Sequence, residues 1–205
     1  MAERTLRAEM KVYHADLRAL PPLSELEVCA TPERLAASRR IRSEAARLRS
    51  LAAGWLLFQA FGKRDYGRNE WGKPFLSDGP HFNLSHSGDR VLLVVADEPC
   101  GCDIEERRPD RDFAAIVRHS FHPDAQEDFF RLGATPDLFY RFWTLGESYM
   151  KGVGRGFSLP PRDFRHSPEA PYALLDSTEP DFADWAFEVH EEIAGYTYAI
   201  ARKRA

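Results

Sequence analysis

The feature that most constrains this chain is segment 100–105, in which two kinds of residue alternate. Successive side chains of a β-strand point to opposite faces, so the two cysteines and Ile104 share one face, while Gly101, Asp103 and Glu105 share the other. Two carboxylates about 7 Å apart on one face repel each other unless a cation or a proton lies between them. The segment therefore predicts either a magnesium site of the phosphoryl-transfer kind or, more simply, an edge strand with a solvated acidic face.

Composition and charge set limits on the rest of the chain. With 205 residues, 43% hydrophobic and 29% charged, the chain is long enough for one large domain or two small ones that fold alone. A net charge of -4 gives no general attraction to nucleic acid or to an anionic membrane. Residues 1–7 are too charged for a signal peptide, and no apolar run approaches the ~18 residues needed to span a bilayer. We expect a soluble, cytoplasmic protein with no nucleic-acid or membrane partner.

The three cysteines, Cys29, Cys100 and Cys102, fit a reducing compartment and are too few for a zinc site. Two cysteines one residue apart in a strand are badly placed for a mutual disulfide. We expect Cys100 and Cys102 to pack into the core as small hydrophobic residues.

A helix is predicted to begin after Thr31, an N-cap residue followed by Pro32, and to run to about Leu56. Its apolar residues recur at helical spacing. Arg42 and Arg49 fall on one border of that stripe, where they either line a cleft or belong to a solvated basic face.

The order of helices and strands predicts an α+β fold with two similar halves, 1–106 and 107–205, each with helices packed on a small antiparallel sheet. In the first half, short apolar runs separated by turns predict a meander of three strands. The second half is predicted to repeat this plan, with helices interrupted at His122-Pro123 and a further helix starting at Thr135. The predicted strands are 81–85, 91–96 and 100–105, and then 172–175, 185–191 and 196–201.

Three other stretches carry groups that suit phosphate chemistry. Glu147 and Lys151 are four residues apart on the second-half helix; such a pair is usually a surface ion pair, but it also offers a third carboxylate for a metal and a cation for phosphate oxygens. His86 lies in a turn between two serines, where it is either structural or a phosphate ligand. Lys73 stands between a glycine and a proline, which is a weak signal alone.

Taken in chain order, these motifs resemble the signatures of the Sfp-type 4′-phosphopantetheinyl transferases. The resemblance spans roughly residues 31–160. The matching segments are 72–74 (Gly-Lys-Pro), 82–87 (Phe-Asn-Leu-Ser-His-Ser), 101–105 (Gly-Cys-Asp-Ile-Glu), 143–151 (Trp-Thr-Leu-Gly-Glu-Ser-Tyr-Met-Lys) and 156–160 (Gly-Phe-Ser-Leu-Pro).

The resemblance implies a monomer that binds coenzyme A in the cleft between its two halves. It implies transfer of the 4′-phosphopantetheine group to a serine of an apo acyl or peptidyl carrier protein, with magnesium (or manganese) as cofactor and adenosine 3′,5′-bisphosphate as the released product. Such an enzyme serves fatty-acid, polyketide or nonribosomal peptide biosynthesis.

The family's functional residues map onto single positions of this sequence. Asp103, Glu105 and Glu147 would hold magnesium, and Glu147 would accept the proton of the carrier serine, directly or through water. The remaining contacts with coenzyme A would come from Lys151, His86 and Ser85 at the phosphates, Lys73 and Pro74 near the adenine, and Arg49 at the 3′-phosphate.

One departure from the family pattern is Gly146, which replaces a lysine just before Glu147. It motivates an alternative hypothesis, a degenerate relative that binds coenzyme A or a carrier protein without catalysis. A second alternative is a magnesium-dependent phosphoesterase that uses the same carboxylates on a nucleotide.

Overall fold

The computed structural model describes residues 10–205. Residues 1–7, on which the expectation of no signal peptide rests, lie outside the described residues. No helix between residues 10 and 205 is long and apolar enough to cross a membrane.

Residues 10–205 form six α-helices and ten β-strands. The helices are α1 (Leu23–Cys29), α2 (Pro32–Arg39), α3 (Glu44–Phe61), α4 (Phe113–Ser120), α5 (Pro123–Arg131) and α6 (Pro136–Val153). The strands are β1 (Met10–Asp16), β2 (Gly67–Arg68), β3 (Pro74–Phe75), β4 (His81–Ser87), β5 (Arg90–Ala96), β6 (Cys100–Glu106), β7 (Phe164–His166), β8 (Leu174–Ser177), β9 (Trp185–His190) and β10 (Tyr196–Lys203).

Two antiparallel sheets of three strands form the body of the protein, in the orders β1-β5-β4 and β6-β10-β9. The long helix α3 packs on β5 and β1 of the first sheet, and α6, which has the same length, packs on β6 and β10 of the second. The predicted α+β fold, with helices on small antiparallel sheets, is confirmed. Two short strand pairs, β2-β3 and β7-β8, stand apart from these sheets.

The faces of the two sheets turned away from α3 and α6 pack against each other. Alternate residues of β5, including Leu92 and Val94, pack there against Cys100, Cys102 and Ile104 of β6. Both cysteines are fully buried and unpaired, so their predicted role as small core residues is confirmed. The opposite face of β6 is thereby directed at α6.

The prediction of a meander in each half is wrong in one respect. β5 already has β1 and β4 on its two edges, so β6 has no place beside it and pairs with β10 instead. In the second half, β8 is predicted to join β9 and β10, but it pairs with β7 instead. The third strand of the sheet with β9 and β10 is β6. The division of the chain at residue 106 stays a prediction, although this pairing groups β6 with the second half.

The single helix predicted from Thr31 to Leu56 is two helices. Thr31 caps α2 as predicted, since its side-chain oxygen accepts a hydrogen bond from Arg34 N at 3.3 Å. The last turn of α2 then tightens, with Ile41 N donating to Ser38 O at 3.1 Å, and α3 begins after a new cap at Ser43. The interruption predicted at His122-Pro123 and the helix start at Thr135 are confirmed.

Candidate active site

The acidic face of β6 meets α6 at the centre of the candidate site. Asp103 and Glu105 project from β6, and Glu147 and Lys151 lie one turn apart on α6. Helix α6 begins after the Thr135 cap and ends at Gly154, whose left-handed conformation (φ 87°) closes the helix. Asp103 and Glu105, predicted from segment 101–105, therefore lie beside Glu147 and Lys151, predicted from segment 143–151.

A short network joins Asp103, Lys151 and Ser85. Lys151 Nζ lies 2.6 Å from Asp103 Oδ1 and 3.8 Å from Glu147 Oε2, so its ammonium stands between two carboxylates. The hydroxyl of Ser85, on β4, donates to Asp103 Oδ1 at 2.8 Å and accepts from Lys151 Nζ at 3.2 Å. Because both partners of the ion pair also bond to Ser85, their positions are fixed together.

The electrostatics of this cluster follow from its burial and its acidic excess. Burial raises the pKa of Glu147 to about 7, and the neighbouring Asp103 and Glu105 add to the shift against the effect of Lys151. The pKa of Glu105 is also raised, first by burial and then by Asp103. For Lys151, burial opposes the charged form, but Asp103 and Glu147 outweigh it and raise its pKa. Three carboxylates therefore face one ammonium, and a further cation would relieve their repulsion.

The donor set fits a divalent cation in its chemistry. Asp103 is 3% exposed in its side chain, and its Oδ2 atom has no hydrogen-bond partner among residues 10–205. A buried carboxylate oxygen of this kind calls for a ligand. Within the same residues no group of three acidic, histidine or cysteine side chains is already close enough to hold a metal, and Lys151 lies between two of the expected ligands. The metal assignment stays a prediction.

Arg49 and His86 lie together at one side of the cluster. Arg49, on α3, donates to Gly88 O at 3.0 Å and so reaches the turn between β4 and β5. His86 is exposed near the end of β4, yet partial burial lowers the pKa of its imidazole, and the nearby cations Arg49 and Lys151 lower it further. The arginine expected at the border of the helix stripe thus reaches the same side of the molecule as the carboxylates.

Lys73 and Pro74 lie at the other side, where a cleft runs between the β2–β3 loop and the end of α6. The cleft is lined by residues 71–74, 83 and 84 from the first half, and by Lys151, Gly154 and Gly156 from the second. Lys73 Nζ donates to Cys100 O at 2.9 Å and Gly152 O at 2.8 Å, so it ties the loop to β6 and α6. Lys73, Pro74 and Lys151 therefore line this cleft, and Lys151 also joins it to the cluster of Asp103, Glu105, Glu147 and Ser85. The other two predicted site residues, Arg49 and His86, lie near the turn between β4 and β5.

Two features of the site were missed from the sequence. The hydroxyl of Ser87, the second serine beside His86, donates to Glu105 Oε2 at 2.8 Å. The alternation of Asn83, Ser85 and Ser87 along β4 was the available signal, because three polar side chains on one face of a strand indicate a polar partner. The second feature is Gly101, whose lack of a side chain lets β6 approach the backbone of α6.

Gly146 faces away from the carboxylates' hydrogen-bond network. A Cβ at this position would lie 3.4 Å from the ring of Phe164. It borders a small apolar pocket whose walls include Phe121, Phe142 and Trp143, with Glu147 also at its edge. The absent lysine therefore leaves the ion pair of Asp103 and Lys151 intact.

Comparison with known proteins gives one family. The family model described as the 4′-phosphopantetheinyl transferase superfamily matches residues 99–201. This match runs from the start of β6 through β10 and contains Asp103, Glu105, Glu147 and Lys151.

Several named relatives agree with that match. A 4′-phosphopantetheinyl transferase of Bacillus subtilis is 36% identical over 106 residues, which are 46% of this chain and 43% of the relative. The 4′-phosphopantetheinyl transferase Sfp of Bacillus subtilis (strain 168) is 31% identical over 143 residues, 66% of this chain and 61% of the relative. The 4′-phosphopantetheinyl transferase gsp of Aneurinibacillus migulanus is 34% identical over 104 residues, 48% of this chain and 42% of the relative. The matched part spans about half the length of these relatives, and the predicted resemblance to the Sfp type is confirmed.

Proposed function

The chain belongs to the 4′-phosphopantetheinyl transferase superfamily, and on that basis we propose that it transfers the 4′-phosphopantetheine group of coenzyme A to a serine of an apo acyl or peptidyl carrier protein. The observation that carries the proposal is the convergence of Asp103, Glu105, Glu147 and Lys151 at the end of a cleft between the two halves. Carboxylates and a lysine beside a cleft are the groups that phosphoryl transfer from a pyrophosphate requires.

Asp103, Glu105 and Glu147 would hold magnesium, with manganese as the alternative. The bound cation would neutralise negative charge on the pyrophosphate of coenzyme A. Two features support this assignment: Asp103 Oδ2 has no hydrogen-bond partner among the described residues, and the cluster has an excess of acidic groups.

The transfer itself exchanges one phosphorus–oxygen bond for another. The carrier serine oxygen bonds to the phosphorus nearer the pantetheine, and the bond from that phosphorus to the bridging pyrophosphate oxygen breaks, which releases adenosine 3′,5′-bisphosphate. Glu147 accepts the serine proton, directly or through a water molecule. Lys151 contributes its positive charge to the phosphate oxygens from its place beside Asp103.

The remaining residues would bind the other parts of coenzyme A. Arg49 and His86 are assigned to phosphate groups at one side, with Arg49 on the 3′-phosphate, and the Lys73-Pro74 segment to the adenine. The Lys73 ammonium already donates hydrogen bonds to Cys100 O and Gly152 O. Its role is therefore to hold in place the loop that would border the adenine. Ser85 acts at the phosphates chiefly through Asp103 and Lys151, to which its hydroxyl is bonded.

We further propose, from the family resemblance, a monomeric enzyme of fatty-acid, polyketide or nonribosomal peptide biosynthesis, and from the sequence a cytoplasmic one. The carrier protein is its macromolecular partner.

The test is the release of adenosine 3′,5′-bisphosphate from coenzyme A, followed by chromatography with and without an apo carrier protein. We expect release that requires both the carrier and magnesium. Glu147→Gln keeps the shape of the side chain but removes its charge and basicity, and we expect it to lower the rate at least ~100-fold. Retention of full activity in excess chelator would remove the metal assignment.

The same assay separates the alternatives. Product release without any carrier would favour a phosphoesterase. Binding of coenzyme A in a calorimetric titration with no release under any condition would favour the non-catalytic binding module.

A further inference from the structure

The outer edge of β6 is buried against the face of the first sheet and has no strand partner among residues 10–205. β4 and β6 belong to different sheets, so the backbone amides on this edge of β6 need acceptors from elsewhere. Side chains of β4 supply them. Asn83 Oδ1 accepts from Cys102 N at 2.9 Å, Ser85 Oγ from Ile104 N at 3.3 Å and Ser87 Oγ from Glu106 N at 3.1 Å.

The two serines make a second bond that Asn83 does not make. Each hydroxyl accepts from one amide of β6 and donates to the carboxylate of the residue just before that amide. Ser85 donates to Asp103 Oδ1 and Ser87 to Glu105 Oε2, both at 2.8 Å. The backbone of β6 thus fixes the hydroxyl, and the hydroxyl fixes the carboxylate, in a pattern that repeats every two residues.

Ser87 is the clearer case of the two. Ser85 also bonds to Lys151, so its removal would disturb an ion pair as well as a carboxylate. Ser87 makes one bond to the backbone and one to Glu105. A flexible carboxylate loses rotational freedom when it binds a cation, and a prior hydrogen bond removes part of that entropy loss.

We propose that Ser87 is a positioning residue that holds the Glu105 carboxylate ready for a divalent cation. This inference rests on the proposed function, since it takes Glu105 as a cation ligand. Partners of this kind, one bond removed from a metal, typically change metal affinity 10- to 100-fold when they are lost. We expect a loss near the lower limit, roughly tenfold, because Glu105 stays in place on β6.

A merely structural role for Ser87 predicts something different. If Ser87 served only to satisfy the Glu106 amide, its loss would lower stability and leave cation affinity unchanged. Asn83 is the matched control, because it satisfies a β6 amide in the same way but donates to no carboxylate in the pattern described above.

The experiment is calorimetric titration of the full chain with Mn²⁺, with and without coenzyme A, alongside thermal unfolding of each variant. Ser87→Thr and Ser87→Val have the same branched shape and differ in the hydroxyl, so the pair isolates the two hydrogen bonds of that hydroxyl, and Asn83→Ala controls for the loss of the bond to the backbone. We expect Ser87→Thr to bind Mn²⁺ like the unaltered protein and Ser87→Val to bind about tenfold more weakly. In the titration without coenzyme A, Asn83→Ala should melt at a lower temperature with an unchanged Kd for Mn²⁺; because Asn83 lines the cleft, this control is not used in the titration with coenzyme A.

Equal Mn²⁺ affinity in Ser87→Thr and Ser87→Val would overturn the inference while leaving the metal assignment standing. If Asn83→Ala weakens Mn²⁺ binding as much as Ser87→Val does, the inference is also overturned, because the effect would then come from an unsatisfied backbone amide of β6. If the unaltered protein binds no Mn²⁺ in either condition, the metal assignment of the proposed function itself is wrong, and the inference falls with it.

Discussion

His166 is a buried histidine, and among residues 10–205 only one of its ring nitrogens has a hydrogen-bond partner. Its Nδ1 lies 3.0 Å from Tyr172 O and carries the proton of that bond, because a carbonyl can only accept. Nε2 has no partner in the described part of the chain. The rings of Tyr149, Phe164 and Phe187 pack edge-on around the imidazole. Burial lowers the pKa of His166 to about 4, since a second proton would place a charge among these rings.

This histidine makes stability depend on pH. The folded pKa of about 4 lies below the unfolded value of 6.5, so the unfolded chain takes up the proton first as the pH falls. The contribution is complete above pH 6.5 and is lost between 6.5 and 4, about 3 kcal/mol in all. Urea unfolding at several pH values should show that His166→Phe has a shallower loss over this range than the unaltered protein. An exposed histidine changed in the same way, His119→Phe, should keep the full slope; equal slopes in all three proteins would contradict the assignment.

The site residues differ in how far the sequence predicts them. The two faces of β6 follow from a period of two, which depends on the backbone alone, and the Glu147–Lys151 pair follows from helical spacing. The contacts of Ser85 and Ser87 with the carboxylates of β6 depend on how one sheet packs on the other. The alternation of polar residues along β4 signals a polar partner for Ser87, but it does not identify that partner as β6, so the role of Ser87 is not predicted from the sequence.

At the scale of elements, the close approach of β6 to α6 brings the two halves of the site together. A Cβ on Gly101 would lie 2.0 Å from Ser148 O and 2.3 Å from Gly152 N. Both atoms belong to the helix backbone, which has no side-chain freedom with which to give way. The glycine in the acidic strand is therefore the reason that Asp103 and Glu147 can share one site.

We expect Gly101→Ala to lower the free energy of unfolding by roughly 3 kcal/mol or more, because the strand and helix must separate. Gly146→Ala on α6 is the control. Its Cβ would be 3.4 Å from the Phe164 ring, and alanine favours a helix interior by about 1 kcal/mol, so this variant should be neutral or more stable. Chemical unfolding of both variants checks the pair, and a Gly101→Ala protein as stable as Gly146→Ala would contradict the account.

Some features of the helices and strands depend on neighbouring residues, and others depend on segments that are distant in the sequence. The N-caps at Thr31 and Thr135 and the break at His122-Pro123 rest on neighbouring residues, and they are found where predicted. The break between α2 and α3 was missed because no proline or glycine marks it, although Ser43 followed by Glu44 is a helix start signal. The sheet to which β6 belongs depends on β1 and β10, which are far from it in sequence.

On the scale of the whole molecule, two sheets packed face to face with a long helix on each outer side place one cleft at the join. Three basic side chains and one histidine, whose lowered pKa favours its neutral form, lie around this cleft, although the chain as a whole carries a net charge of -4. Arg49 and His86 border one side, Lys151 the centre and Lys73 the other side. This arrangement suits an extended ligand with separated phosphates better than a continuous polyanion.

Gly146, which replaces the family lysine, is the feature that motivates the alternative hypothesis of a non-catalytic binding module. Its position against Phe164, away from the Asp103–Lys151 pair, favours catalysis without the family lysine. A lysine introduced there would have to pass the apolar pocket beside Phe164 to reach a phosphate. We therefore expect Gly146→Lys to change stability more than activity.

The most direct measurement is the mass of purified apo carrier proteins after incubation with coenzyme A, magnesium and the unaltered protein. Glu147→Gln and Gly146→Lys should be run beside it on the same panel of acyl and peptidyl carriers. The account predicts that the unaltered protein adds one phosphopantetheine group to the serine of at least one carrier, that Gly146→Lys does so at a similar rate, and that Glu147→Gln does not. Loading by Gly146→Lys alone, or by none of the three on any carrier, would contradict it.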